Sequence, residues 1–276
     1  VKPGRVLLQL VVWFLLVLAG ASASAQVNAE QLSRSPFKDG AAGFVQAGVA
    51  LARGNVEWVN VGGAAYGQWQ KLFEPEVGAP KDALPWVNHR VYATANGRFA
   101  ENANGAFISN AYIHARWTGM WHRRVGSDIF AQYQYNDFIR LSRRALGGLG
   151  ARFEFVHLKE LLIYAGSAYM LEYEKIQFVE DTDDDPETLV HRWTNYLTIR
   201  AEVFDGQLLL QNTVYVQPRF DDFGDFRILN TFDLIVKVQK FLAFGTTVSY
   251  LHDSRPPTGI KKDDLTLTTN IRVSFQ

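Results

Sequence analysis

Residues 192–217 read RWTNYLTIRAEVFDGQLLLQNTVYVQ. In the first half, Trp193, Leu197, Ile199, Ala201 and Val203 alternate with Arg192, Thr194, Tyr196, Thr198, Arg200 and Glu202. A period of two sends successive side chains to opposite faces of a strand, so one face is apolar and the other polar and charged. In the second half Leu208, Leu210, Val214 and Val216 stand against Gln211, Thr213, Tyr215 and Gln217, and Asp205-Gly206 between the halves is a tight turn. The unit is a hairpin with one apolar face. Soluble sheets and membrane barrels both use such hairpins, and the rest of the chain has to choose.

Outward from this hairpin the pattern repeats. Phe226, Ile228, Phe232, Leu234, Val236 and Val238 oppose Arg227, Thr231, Asp233 and Lys237. After the turn at Gln239-Lys240, Leu242, Phe244, Val248 and Tyr250 oppose Ala243, Gly245, Thr247 and Ser249. The last stretch sets Leu265, Leu267, Thr269, Ile271, Val273 and Phe275 against Thr266, Thr268, Asn270, Arg272 and Ser274. Weaker alternation covers Gly43 to Ala52, Asn55 to Trp69, His89 to Ala100, Phe107 to Trp121, Asp128 to Phe138, Leu149 to His157 and Leu161 to Tyr173. Roughly twelve strands result, at the short spacing of an all-β fold.

Composition bounds the function. The 276 residues carry 28 basic and 28 acidic side chains, so no net field favours nucleic acid. Cys is absent, which excludes disulfides, thiolate metal sites and cysteine nucleophiles. Lys2 and Arg5 precede an apolar run from Val6 to Ala19 and the small-residue motif Ala23-Ser24-Ala25, the pattern of a secretory signal peptide over residues 1–25. A polar, unpatterned lead segment (26–40) follows, then a barrel domain (41–276). No later segment has the apolar length of a spanning helix, so membrane entry would be by strands.

Aromatic placement and loop length favour the membrane. Trp117, Trp121, Tyr133, Tyr135, Tyr169, Tyr173, Trp193, Tyr250 and Phe275 fall near strand ends on the apolar face, where rings meet the membrane interface. HLKE, FDGQ and QKF read as short turns, whereas ENANG, FIRLSRRALGG, VEDTDDDPE, PRFDDFGD and HDSRPPTGIKK read as longer polar loops. Such alternation is the mark of short periplasmic turns and longer outer loops. KLFEPEVGAPKDALPWVN is long where a short turn is due, and is expected to pack under the barrel. The fold expected is a single-chain antiparallel transmembrane β-barrel of about twelve strands in a bacterial outer membrane.

Two segments resemble a known family. SYLHDSRPPTGIKKDDLTLTTNIRVSF, Ser249 to Phe275, is similar to the closing hairpin of the YdiY-like, salt-induced outer-membrane proteins, a domain family of unknown function. GVALARGNVEWVNVGGAAYGQW, Gly48 to Trp69, resembles that family's first hairpin, with Gly54-Asn55 at its turn. The resemblance runs from Gly43 to Gln276 and implies an outer-membrane barrel without catalytic residues. Gln276 after Phe275 departs from barrels that end on the aromatic.

With the apolar faces in lipid, the other faces line a lumen. The candidates are Arg90, Arg98, Arg116, Arg152, Arg192, Arg200, Arg227, Lys237 and Arg272, with Glu154, Glu172, Glu174, Glu202 and Asp233. Basic groups outnumber acids in that set, which suits a small-solute channel biased toward anions. The other reading pairs Arg with Glu across strands and leaves the lumen packed and closed. A barrel phospholipase would use His114 with Ser109 and Asn110, though no local motif ties them together. The run Glu180 to Asp185 lacks the glycine and ligand spacing of a calcium loop. No cofactor, metal or nucleic acid is expected; the expected partners are outer-membrane lipid, the barrel-insertion machinery and a small anionic solute.

Overall fold

The computed structural model describes residues 39–273 apart from 53–57, 76–77, 79–82, 103–104 and 240–241. The expected signal peptide, nearly all of the lead segment and the terminal Phe275-Gln276 lie outside the described residues, as does most of the Gln239-Lys240 turn. Twelve strands follow one another: β1 (Gly40–Ala52), β2 (Trp58–Leu72), β3 (Val87–Asn102), β4 (Gly105–His122), β5 (Val125–Asn136) and β6 (Leu141–His157). Then come β7 (Leu161–Ile176), β8 (Glu187–Val203), β9 (Leu208–Pro218), β10 (Phe226–Gln239), β11 (Leu242–Asp253) and β12 (Asp263–Val273).

Each strand pairs antiparallel with the next in one twelve-stranded sheet. The sheet is rolled, as contacts between distant strands require. Neighbouring strands sit about 4.8 Å apart, so β4 and β9 of a flat sheet would be roughly 24 Å apart. Yet Arg116 on β4 donates to the Tyr215 hydroxyl on β9 at 3.5 Å, and Tyr196 on β8 donates to Asp128 on β5 at 2.6 Å. Among the described residues no ladder joins β12 to β1, so these two strands form the seam. In lipid that seam must pair, because an open edge leaves N–H and C=O groups with no partner.

The burial pattern is inverted. Val45 (84%), Leu149 (63%) and Leu265 (74%) are exposed, while Arg192 (3%), Glu172 (2%) and Asp233 (1%) are buried. A water-soluble fold does the opposite. The outward residues of β8, Trp193, Leu197 and Ile199, are exposed, and the inward Thr194, Tyr196 and Thr198 are buried. Apolar side chains facing out all round the wall, with charges inside, make this a transmembrane barrel.

Two expected loops prove to be strand. FIRLSRRALGG was expected to be a loop, but β6 begins at Leu141. The connection is a single 3-10 turn (Asp137–Ile139), capped by the Asn136 side chain and closed by Arg140 in the left-handed region (φ 57°). The glycines that suggested a loop serve packing instead. A Cβ on Gly148 would lie 2.4 Å from the Phe130 ring, so the ring needs the bare backbone. Likewise ENANG shrinks to residues 103–104 between β3 and β4. Three long connections remain on that side, at 177–186, 219–225 and 254–262.

Leu197→Arg, on the outer face near the middle of β8, is expected to destabilise the lipid-refolded barrel by about 2–4 kcal/mol. Denaturant unfolding in lipid vesicles reads this directly; an unchanged midpoint would place Leu197 in water and remove the membrane assignment.

Candidate functional site

The inward residues of β4 to β10 meet in layers. Nearest the long loops, Glu172 accepts Arg227 Nη1 on both carboxylate oxygens at 2.8 Å and Arg192 Nε at 3.1 Å. Glu174 accepts Arg144 Nε at 2.7 Å and Arg227 Nη2 at 3.1 Å. Asp253 takes Arg227 Nε at 2.7 Å, and Asp225 takes Arg192 at 3.2 Å. The node thus joins β6, β7, β8, β10 and β11. Below it lies an apolar layer of Phe130, Leu146, Ala168 and Met170. Next comes a layer around Asp128, which accepts Thr118 Oγ1 at 2.5 Å and the Tyr196 hydroxyl at 2.6 Å. Arg152 donates to Tyr196 at 3.0 Å and lies 4.0 Å from the Tyr164 ring. Toward the short turns Glu154 meets His157, and Arg200 pairs with Glu202.

Little space remains among these groups. One chamber of about 30 Å³ is bounded by His114, Arg116, Asp128, Met170, Tyr196 and Tyr215, and another of about 30 Å³ by Arg90, Arg152, Glu154, His157 and Arg200. Each has room for a water or two. On the opposite wall the inward residues of β11, Ala243, Gly245, Thr247 and Ser249, are small. An open groove of about 510 Å³ is lined by Gly48, Asn60, Gly62, Asn96 and Arg98 among others. The interior is therefore lopsided, dense along β4–β10 and around the buried Tyr66, Gln70, Arg90 and Tyr92, and thin along β11, β1 and the long-loop half of β2–β3.

The long-loop mouth is tied shut at one point. Arg140 Nη1 donates to Asp184 Oδ2 and to the Thr258 carbonyl, both at 2.7 Å. The Thr258 N–H and hydroxyl donate to Asp184 Oδ1 at 2.9 Å. Three loops, after β5, β7 and β11, share this knot. The Thr258 backbone N–H and then the Arg140 side chain hold the Asp184 carboxyl below the ordinary carboxylate range. In the 219–225 loop, the hydrogen bond from Arg219 lowers Asp221 to about 2.

The structure sorts the expected lumen-lining residues as follows. Arg90, Arg116, Arg152, Glu172, Arg192, Arg227 and Asp233 are buried in the interior. Arg98, Glu154, Glu174, Arg200 and Glu202 are half-buried there. Lys237 is exposed at the short-turn rim, where the β10 register shifts, and the side chain of Arg272 lies outside the described residues. The expected excess of basic groups is offset by carboxylates absent from that set. Asp128, Asp225 and Asp253 each hold an arginine or a donor network, and Arg144 adds a further cation. Arg144 sits in the stretch expected to be a loop, so its inward face was not legible; Asp225 closes the same node from the 219–225 loop and Asp253 from the end of β11, both in stretches expected to be loops. The Ser109–His114 pairing does not form. Five residues apart on one strand, they take opposite faces, and His114 Nδ1 instead meets Gln132 at 3.2 Å. Asp184 of the acidic run is committed to Arg140 and Thr258.

Residues 85–275 match the model of a family described as "Protein of unknown function, DUF481". The match covers the closing hairpin and begins after the first one. No curated protein matches the chain. Two solved structures are similar in shape. The "NanC porin structure in rhombohedral crystal form" has 7% identity and a TM-score of 0.46, over 84% of this chain and 99% of that one. The "KdgM porin" has 8% identity and a TM-score of 0.37, over 86% of this chain and 99% of that one. At such identity no residue of either can be carried over.

Arg227→Met should cost about 3–5 kcal/mol, because it leaves Glu172 buried with part of its charge uncompensated. The double variant Arg227→Met/Glu172→Met should recover much of that loss in the same unfolding assay; equal loss in both would mean the node is not energetically coupled. At the mouth, the Asp184 carboxyl is depressed, so its knot contributes above the ordinary carboxylate value, about 3.9, and is lost as pH falls through the lower folded value. Proteolysis of the 254–262 loop should therefore rise in strong acid, and Asp184→Asn should show the raised rate already at neutral pH.

Proposed function

The chain belongs to the DUF481 family of proteins of unknown function, and on that footing we propose that it is a bacterial outer-membrane channel for small solutes, not an enzyme. The observation that carries this reading is the lopsided interior. The dense wall of β4–β10 braces the barrel, and the thin wall leaves a groove wide enough for a hydrated ion or small molecule. The conducting path runs along the groove between β1, β2 and β3, and an anion bias there acts through Arg98, the charged residue on its lining. Outer-membrane lipid and the insertion machinery are the partners that such a barrel requires.

A second reading is favoured by the two small chambers and the knotted mouth: a closed barrel that strengthens the envelope. The stress-related, salt-induced role suggested by the resemblance to YdiY-like proteins fits that reading equally well.

Single-channel recording on the refolded mature chain, across a salt gradient, separates the two. Small discrete steps with weak anion preference are expected, and Arg98→Ser should move the reversal potential toward the cation side. A heat-stable barrel that stays silent at all voltages would exclude the channel and leave the closed barrel.

A further inference from the structure

Of the connection between β2 and β3, the described residues 73–75 and 83–86 are fastened to the short-turn rim by a small set of contacts. Phe73 N–H donates to the Trp86 carbonyl at 2.9 Å and closes the base of the loop. Arg123, in the β4–β5 turn, donates to the Glu74 carbonyl at 3.1 Å and lies 5.9 Å from the Phe73 ring. The centre of the fastening is His157, the last residue of β6. Its ring stacks on Trp86 with centroids 3.6 Å apart and planes 10° from parallel. Nδ1 meets Glu154 Oε2 at 2.9 Å, and Nε2 meets the Leu84 carbonyl at 3.1 Å.

Both of those partners are acceptors only. A carboxylate and a backbone carbonyl have no hydrogen to give, so each ring nitrogen must carry one. A neutral imidazole has a single N–H and can serve Glu154 or Leu84, not both. The doubly protonated ring serves both, and as a cation it also gains from the face of the Trp86 indole. Among the described residues the charged groups around it are Glu154 and Arg152 on β6, with Arg152 3.9 Å from Glu154, and Arg90 of β3, which bounds the same chamber. Arg124 of the β4–β5 turn lies 6.0 Å from the Trp86 ring, and Arg200 of β8 bounds the same chamber, its charge paired with Glu202. The Glu154 contact lies within β6, and its carboxylate is the stronger acceptor for a lone ring proton. It is therefore the second proton, on Nε2, that decides whether the ring also holds the Leu84 carbonyl.

We propose that His157, Trp86 and Glu154 form a proton-dependent clasp that holds residues 83–86, the end of the β2–β3 connection, to the short-turn rim and loosens when the imidazole loses a proton. Charged, the ring ties the carbonyl of Leu84 in the loop to the carboxylate of Glu154 in the wall. Neutral, it gives up one of these bonds and the cation on Trp86. The loop is then held mainly by Arg123 and the Phe73–Trp86 bond. The clasp rests on the barrel fold alone and holds whether or not the barrel conducts.

The chain has no cysteine, so Ala83→Cys places a single nitroxide label on the loop beside Leu84. Electron paramagnetic resonance of the labelled, lipid-reconstituted chain reads loop mobility from about pH 5 to about pH 8.5, the span in which a histidine changes charge. An immobile spectrum in acid is expected, with a several-fold larger mobile fraction at the alkaline end. His157→Gln, which offers one donor and one acceptor, should be mobile at both ends. Trp86→Leu lies outside the barrel wall, and serves if His157→Gln does not insert; it should be more mobile in acid than the parent. A pH-invariant parent spectrum overturns the clasp, and so does a pH response that survives in His157→Gln. A label at Gln207→Cys, on the β8–β9 turn, should not respond; an equal response there would mean general loosening and also overturn it.

Discussion

Hydrocarbon offers no hydrogen-bond partner, and every other feature of this barrel follows from that. Backbone groups are satisfied between strands, and ionised side chains are confined to the interior, where they must satisfy one another. Glu172 shows the consequence. Its carboxylate takes donors from Arg227 and Arg192, and Arg227 reaches on to Glu174 and Asp253. In a soluble protein, apolar side chains would hold these strands together without regard to direction. Here the work is done by a directional network, so removing one member harms its neighbours as well.

The same constraint explains the glycines and the rings. Charged side chains filling one half of the interior need rigid aromatic surfaces to lie against, as Arg152 lies on Tyr164 and Arg116 near Phe130 and Tyr196. Those rings in turn need space that only glycine leaves, at Gly148 under Phe130 and Gly166 under Tyr196. Along β11 the inward positions carry small residues, whereas β2 and β3 bring a second, smaller group of rings, Tyr66 and Tyr92, which continues to His114 on β4.

The two ends differ in chemistry. At the long loops a carboxylate, a guanidinium and a threonine knot three connections together, a junction that only strong acid would break. At the short turns an imidazole between two acceptors joins an inserted loop to the wall. The first ties loop to loop across the mouth, while the second ties an inserted segment to the end of β6.

By itself the sequence determined the strands, their faces and the barrel class, because a period of two is a local property that needs no knowledge of partners. The inward and outward sets of β8 to β10 could be read residue by residue. Less legible was the start of β6, where Arg143, Arg144, Gly147 and Gly148 look like a turn and are in fact strand. Only the tertiary structure decided which charges meet. Arg116 and Tyr215 are 99 residues apart, and Arg227 and Glu172 are 55. Their pairing depends on how the sheet rolls, which alternation does not encode. For that reason an interior that looked basic in sequence proves, among the described residues, to pair its arginines with carboxylates from distant strands.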